Sequence, residues 1–234
     1  MSKELYNNLW DKDWGDMQEY GPLHIHIRKA IIRHLSPLNI GSALDVGCGA
    51  GHNLREIRNL LKVTDLTGID LSEQALYGAH AKVQDAKLIC ADINDWGSDR
   101  KFDLVMSIHS IEHILDDIKA LQMMRKFAGK YLYVSTIGGT MRKSEPGIGH
   151  VRNYSQVELT EKIELAGFKV IRFEKWGFPF YSPIYRSLVE MIPGGPPTGR
   201  VTISRQVMAK IIDKLYSLNS NERGDIYNVL AEIK

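Results

Sequence analysis

The sequence predicts a doubly wound α/β sheet, and three observations carry that expectation. Apolar runs bounded by turn residues alternate with helical patterns through the first 135 residues, as right-handed parallel crossovers require. The run at the head of this alternation reads as a buried strand. The first run, ALDVGCGAGHNL (43–54), turns sharply into a helix on Gly47, Gly49 and Gly51. Only glycine allows positive φ and close backbone approach there, so something is meant to lie against that backbone.

Each element follows in order. HIHIRKAIIRHL (24–35) places Ile27, Ile31, Ile32 and Leu35 on one helical face. ALDVG, DLTGID, KLICAD, FDLVMSI and KYLYVST read as strands, with helices over 52–61, 73–83 and 113–127 between them. The polar, glycine-rich stretch over 137–153 is long enough to be a functional loop. Ser155 is positioned to cap a helix over 156–166, with Glu158 as its capping-box partner. FKVIRFEKW and DIYNVLAEI are two further strands. Between them lie FPFYSPIY, a Pro/Gly cluster and a helix over 204–217, together a cover over the open end of the sheet.

Composition narrows the function. The chain has 234 residues, 44% hydrophobic and 25% charged, with a net charge of +2, which argues against wholesale wrapping of nucleic acid. No Lys/Arg-dense stripe appears, no run approaches the roughly 20 apolar residues of a membrane span, and the N-terminus lacks a basic-then-apolar leader. A cytoplasmic protein is expected. Two cysteines, Cys48 and Cys90, read as reduced thiols in apolar runs.

Ligands of open α/β sheets bind beyond the carboxyl ends of the strands. A nicotinamide fingerprint there needs G-x-G-x-x-G, whereas this loop has G-x-G-x-G behind Asp45, an acid poorly placed against a pyrophosphate and better suited to a cationic ligand. Asp70 ends the second strand 19 residues after Gly51, where a carboxylate can accept both ribose hydroxyls, and Asp92 ends the third. Single strand-end acids are commonly helix caps; three on successive strands behind a glycine loop point to one ligand.

In these features the chain resembles the class I S-adenosylmethionine-dependent methyltransferases of small-molecule type, over about 43–136. The resemblance implies a Rossmann-like, seven-stranded, mostly parallel sheet with helices on both faces and an antiparallel last strand. It implies S-adenosyl-L-methionine as cofactor, held by Asp45, Gly47, Gly49, Gly51, Asp70, Leu71, Asp92, Ile93 and Ser107, with Asp92 reaching the adenine. The chain would form one methyltransferase domain over 1–234: a helical cap (1–36), a cofactor half (37–136), and a substrate-side half with its cover (137–234). Trp10, Trp14, Tyr6 and Tyr20 resemble a lid segment.

Methyl transfer is an in-line displacement, and a hydroxyl acceptor must lose a proton, so a base near neutrality is needed beyond the fourth strand. His109 is the leading candidate, with His113 and His150 in reserve. No metal is expected; the alternative is a divalent cation on His109, Glu112 and His113, at i, i+3 and i+4 of a helical turn. His150, Arg152 and Tyr154 would face the acceptor, and Arg142, Lys143 and Arg152 could bind an anionic group on it. The expected activity is methylation of a small hydroxyl compound, such as a sugar, natural product or quinone-like molecule. A catalytically silent cofactor-binding subunit, a methyltransferase acting on nucleic acid and a nicotinamide oxidoreductase are the alternatives.

Overall fold

The computed structural model describes residues 7, 10, 14–191 and 201–234. Tyr6 and the Pro/Gly cluster lie outside them. Seven strands form one sheet: β1 (Ser42–Val46), β2 (Asp65–Asp70), β3 (Lys87–Cys90), β4 (Phe102–Ile108), β5 (Ala128–Ile137), β6 (Phe168–Trp176) and β7 (Ile226–Ile233). Their order is β3-β2-β1-β4-β5-β7-β6, with β7 antiparallel to both neighbours and the other pairs parallel. The last strand in sequence is thus slotted inside the sheet, between β5 and β6.

Helices α1 (Gly15–Tyr20), α2 (Pro22–Leu35), α3 (His52–Leu61), α4 (Glu73–Lys82), α5 (Asp117–Phe127), α6 (Gln156–Leu165), α7 (Arg186–Glu190) and α8 (Ile203–Tyr216) surround it. Side chains alternate across each strand, so β1 sends Leu44 and Val46 to one face and Ala43 to the other. The first face packs on Leu121 and Met124 of α5 and Leu159 and Ile163 of α6. The second packs on Ile27 and Ile31 of α2, Leu54 and Ile57 of α3, and Leu76 of α4. Both faces are covered, which explains why Ala43, Leu44 and Val46 of β1 and Leu104, Val105 and Met106 of β4 are all buried whichever way they point.

The expected cap is present: the Ser155 hydroxyl accepts from the Glu158 amide at 3.1 Å, while the Glu158 carboxylate turns to Lys162 at 2.9 Å. The aromatic run after β6 packs inward, with Trp176, Tyr181, Tyr216 and Ile226 in one buried cluster and the His26 ring stacked on Trp176 at 3.6 Å. Both cysteines are free. None of the described helices is long and apolar enough to cross a membrane.

One helix differs from the sequence reading. The stretch expected over 113–127 is a single 3-10 turn, Ile111–His113, then a break, then α5. Asp116 makes the break, its carboxylate accepting from the Lys119 amide at 3.0 Å as the N-cap of α5.

Candidate functional site

Strand order reverses between β1 and β4, and a cavity of about 260 Å³ opens at the carboxyl ends of the strands there. Its walls carry Gly47, Gly49, Asp70, Leu71, Asp92, Ile93, His109 and His113, all anticipated. Gly49 has φ +53 and lies so close to Trp10 that an added Cβ would sit 2.5 Å from the indole. A side chain there would be strained by the backbone and blocked by the ring. Gly51, also at positive φ, lets the loop close onto Ala79 and Val83 of the α4 region rather than onto the cavity.

Asp70 holds the loop in shape. One carboxylate oxygen accepts from the Gly49 amide at 2.9 Å and the other from the Ser72 amide at 2.8 Å. The Leu71 amide bonds the same carboxylate, and since a carboxylate has about four acceptor sites, one remains for a ligand's hydroxyl. Helix capping belongs to the neighbouring Ser72, which accepts from the Ala75 amide at 3.1 Å. Strand β3 ends at Cys90, so Asp92 stands in the turn beyond it, accepting from the Asn94 amide at 2.8 Å.

Asp45 and Ser107 do not line the wall. Both are fully buried, and neither Asp45 oxygen meets a hydrogen-bond partner among the described residues. Burial, then the charge of Asp70, pushes the Asp45 carboxyl up to about 8. It leads into the glycine loop as an uncompensated buried acid.

At the end of β4, His109 adopts φ +48, and its amide donates to the Ser135 carbonyl of β5 at 2.7 Å. The imidazole Nδ1 is 3.1 Å from Glu112 Oε1, and the other Glu112 oxygen accepts from the Thr136 hydroxyl at 2.8 Å. Burial alone would raise Glu112, but the His109 hydrogen bond and the charges of His109, His113 and His150 outweigh it and bring the carboxyl down to about 2. Burial lowers His150 to about 4 and lowers His113 as well, partly offset by Glu112. A carboxylate thus orients one imidazole on the cavity wall, with His113 also on the wall and the His150 ring 4.7 Å from that of His113. Thr136 was not anticipated; nothing in a strand residue announces that its hydroxyl will anchor an acid 24 residues earlier.

Three expectations are corrected. Tyr154 is fully buried, its hydroxyl donating to Asp117 at 2.9 Å, so it is a core residue rather than an acceptor contact. The Arg152 guanidinium bonds the carbonyls of Ile114 and Leu115 and pairs with Asp117 at 3.3 Å, which ties the loop to α5. His109, Glu112 and His113 also do not share one helical turn; the ligand-type group with atoms within 4.8 Å is Glu112, His113 and His150. From the N-terminal segment, Trp10, Trp14 and Gln18 line the cavity, with the two indoles 5.5 Å apart; Tyr20 is exposed and off the wall.

Comparison with known proteins agrees with this geometry. Residues 43–129 match the methyltransferase domain family. Over 114 residues the chain is 27% identical to a malonyl-[acyl-carrier protein] O-methyltransferase of Priestia megaterium, covering 47% of this chain and 42% of that one. Over 86 residues it is 28% identical to a trans-aconitate 2-methyltransferase of Klebsiella pneumoniae, covering 37% and 34%. The matched stretches thus span well under half of these curated relatives. The N-methyltransferase NodS of Bradyrhizobium japonicum, solved with S-adenosyl-L-homocysteine, superposes with a TM-score of 0.64 at 14% identity over 98% of both chains, a likeness of fold.

The residues present fit that cofactor. Asp45, a buried acid with no partner among the described residues, leads into the loop, Asp70 lines the cavity with an acceptor position to spare, and Leu71, Ile93 and Ile114 supply apolar walls for a base.

Proposed function

We propose that this chain, whose residues 43–129 are a class I S-adenosylmethionine-dependent methyltransferase domain, methylates a hydroxyl of a small molecule, with His109 as general base. The observation that carries the reading is the pair formed by His109 and buried Glu112 on the cavity wall, held from behind by Thr136. Bound S-adenosylmethionine supplies an electrophilic methyl group. Glu112 fixes the imidazole with Nδ1 toward itself, which directs Nε2 to take the acceptor's proton as the oxygen attacks. Asp70 would hold a ribose hydroxyl, Asp92 and Ile93 the adenine, and Trp10 and Trp14 would cover the cofactor from the N-terminal side and exclude water. The acceptors named for the two curated relatives are small acids or carrier-bound acids, in keeping with a small acceptor. The two free cysteines accord with a reducing, cytoplasmic setting.

The test is transfer of labelled methyl from S-adenosylmethionine to a panel of hydroxylated sugars, phenols and hydroxy acids. His109→Gln should lower turnover about 10²–10⁴-fold while leaving S-adenosylhomocysteine affinity intact. Unchanged turnover in that variant would remove His109 from the role. Cofactor binding with no transfer to any acceptor, alone or with added partner proteins, would favour a silent subunit.

A further inference from the structure

The side chains around Glu112 bring together more metal-ligating groups than one proton transfer uses. Glu112 and His113 come from the turn after β4, and His150 from the loop after β5, 37 residues further along the chain. One ligand atom of each lies within 4.8 Å of the other two. The rings of His113 and His150 meet edge to face at 4.7 Å, and His113 stands on the cavity wall. Glu112 is buried while both imidazoles are half-buried, so the group closes toward the protein and opens toward the acceptor space.

We propose that Glu112, His113 and His150 bind a divalent transition-metal cation at the acceptor end of the cavity, with coordination positions left open for the acceptor oxygen. Two imidazole nitrogens and one carboxylate oxygen suit zinc, iron, cobalt or manganese, whereas magnesium and calcium favour sets made of oxygen alone. Metal–ligand bonds of about 2.0–2.2 Å require the three atoms to draw together by roughly an ångström. The half-buried His150 ring can supply that movement by side-chain rotation, while the Val151 amide, donating to the Glu112 carbonyl at 3.0 Å, keeps it beside Glu112. Thr136 holds one Glu112 oxygen, which leaves the other to face both His109 and the cation.

The inference rests on the methyltransferase reading for its chemistry but not for its test. The cation would hold the acceptor hydroxyl and make it more acidic. The O–H bond then breaks with the proton going to His109. The new O–C bond forms as the C–S bond of the sulfonium breaks, and the sulfur takes the bonding pair.

The full chain, stripped with a chelator, is titrated with Co²⁺ and followed by visible absorption, with Zn²⁺ as competitor and S-adenosylhomocysteine titrated in parallel. One equivalent of Co²⁺ should bind with d–d bands of nitrogen and oxygen ligation, be displaced by Zn²⁺ and resist millimolar Mg²⁺. His150→Ala should weaken Co²⁺ binding by more than the about 10–100-fold that outer-shell partners are worth. Absence of Co²⁺ binding in the wild type, or equal binding in a His150→Ala protein that still binds S-adenosylhomocysteine, overturns the site. Should that variant not fold, imidazole resonances of the wild type decide: Zn²⁺ shifting two histidines supports the site, and shifting none refutes it. Co²⁺ binding without S-adenosylhomocysteine binding would keep the metal site and sink the methyltransferase reading.

Discussion

Asp45 has no hydrogen-bond partner among the described residues, and its carboxyl sits at about 8 because of burial and then Asp70. The folded protein therefore keeps a proton that the unfolded chain, near 3.9, has released. Stability from this group is fully present below the unfolded value and is lost as pH rises toward 8, at up to about 1.4 kcal/mol per pH unit. Denaturant titrations at pH 5, 7 and 9 should show wild type losing stability relative to Asp45→Asn across that range. Parallel curves would show that Asp45 ionises freely. Asp70 makes the second prediction. Removing a charged acceptor is worth about 1.5–3 kcal/mol, so Asp70→Ala should weaken S-adenosylhomocysteine binding about 10–100-fold by calorimetry. Asp70→Asn, which keeps an oxygen for one loop amide, separates loss of charge from loss of loop shape. The strand-end acids were legible because glycine spacing announces a ligand before any fold is known. Thr136 was not legible, since its role depends on β4 lying beside β5.

Among the elements, the N-terminal segment and α6 give sharp expectations. Trp10 lies against the Gly49 backbone and Trp14 beside His113 at 6.2 Å, so both indoles stand over the cavity. Trp10→Ala should raise the dissociation rate of S-adenosylhomocysteine in stopped-flow fluorescence; an unchanged rate would mean the indole only packs. Ser155→Ala removes the side-chain cap of α6 and should destabilise the protein by about 1 kcal/mol, lowering Tm by about 2–4 °C. Glu158→Ala should matter less, because its partner is an i,i+4 lysine worth about 0.2–0.5 kcal/mol. Element boundaries were read well where caps or glycines mark them, as at Ser155 and Gly51. The stretch over 113–127 was misread because its apolar residues keep helical spacing across the Asp116 break. His109, at positive φ before the 3-10 turn, stands off the turn of Glu112 and His113, and the third ligand-type residue becomes His150, supplied by a distant loop.

At the scale of the whole molecule, the alternation of strands and helices determines where the cavity lies. A parallel sheet whose order reverses between β1 and β4 must leave a crevice there, and the glycine loop, Asp70, Asp92 and His109 all arrive at it from different strand ends. The position of β7 between β5 and β6 was not legible, because its apolar run carries no signal of its neighbours. Nor was the fate of Arg152 and Tyr154, polar residues of a loop that α5 draws inward through Asp117.

The central claim is that this crevice binds S-adenosylmethionine, and isothermal titration with S-adenosylhomocysteine beside NADH tests it most directly. Micromolar, one-to-one binding of S-adenosylhomocysteine without NADH binding is the expected result. Binding of NADH alone, or of neither, would contradict it.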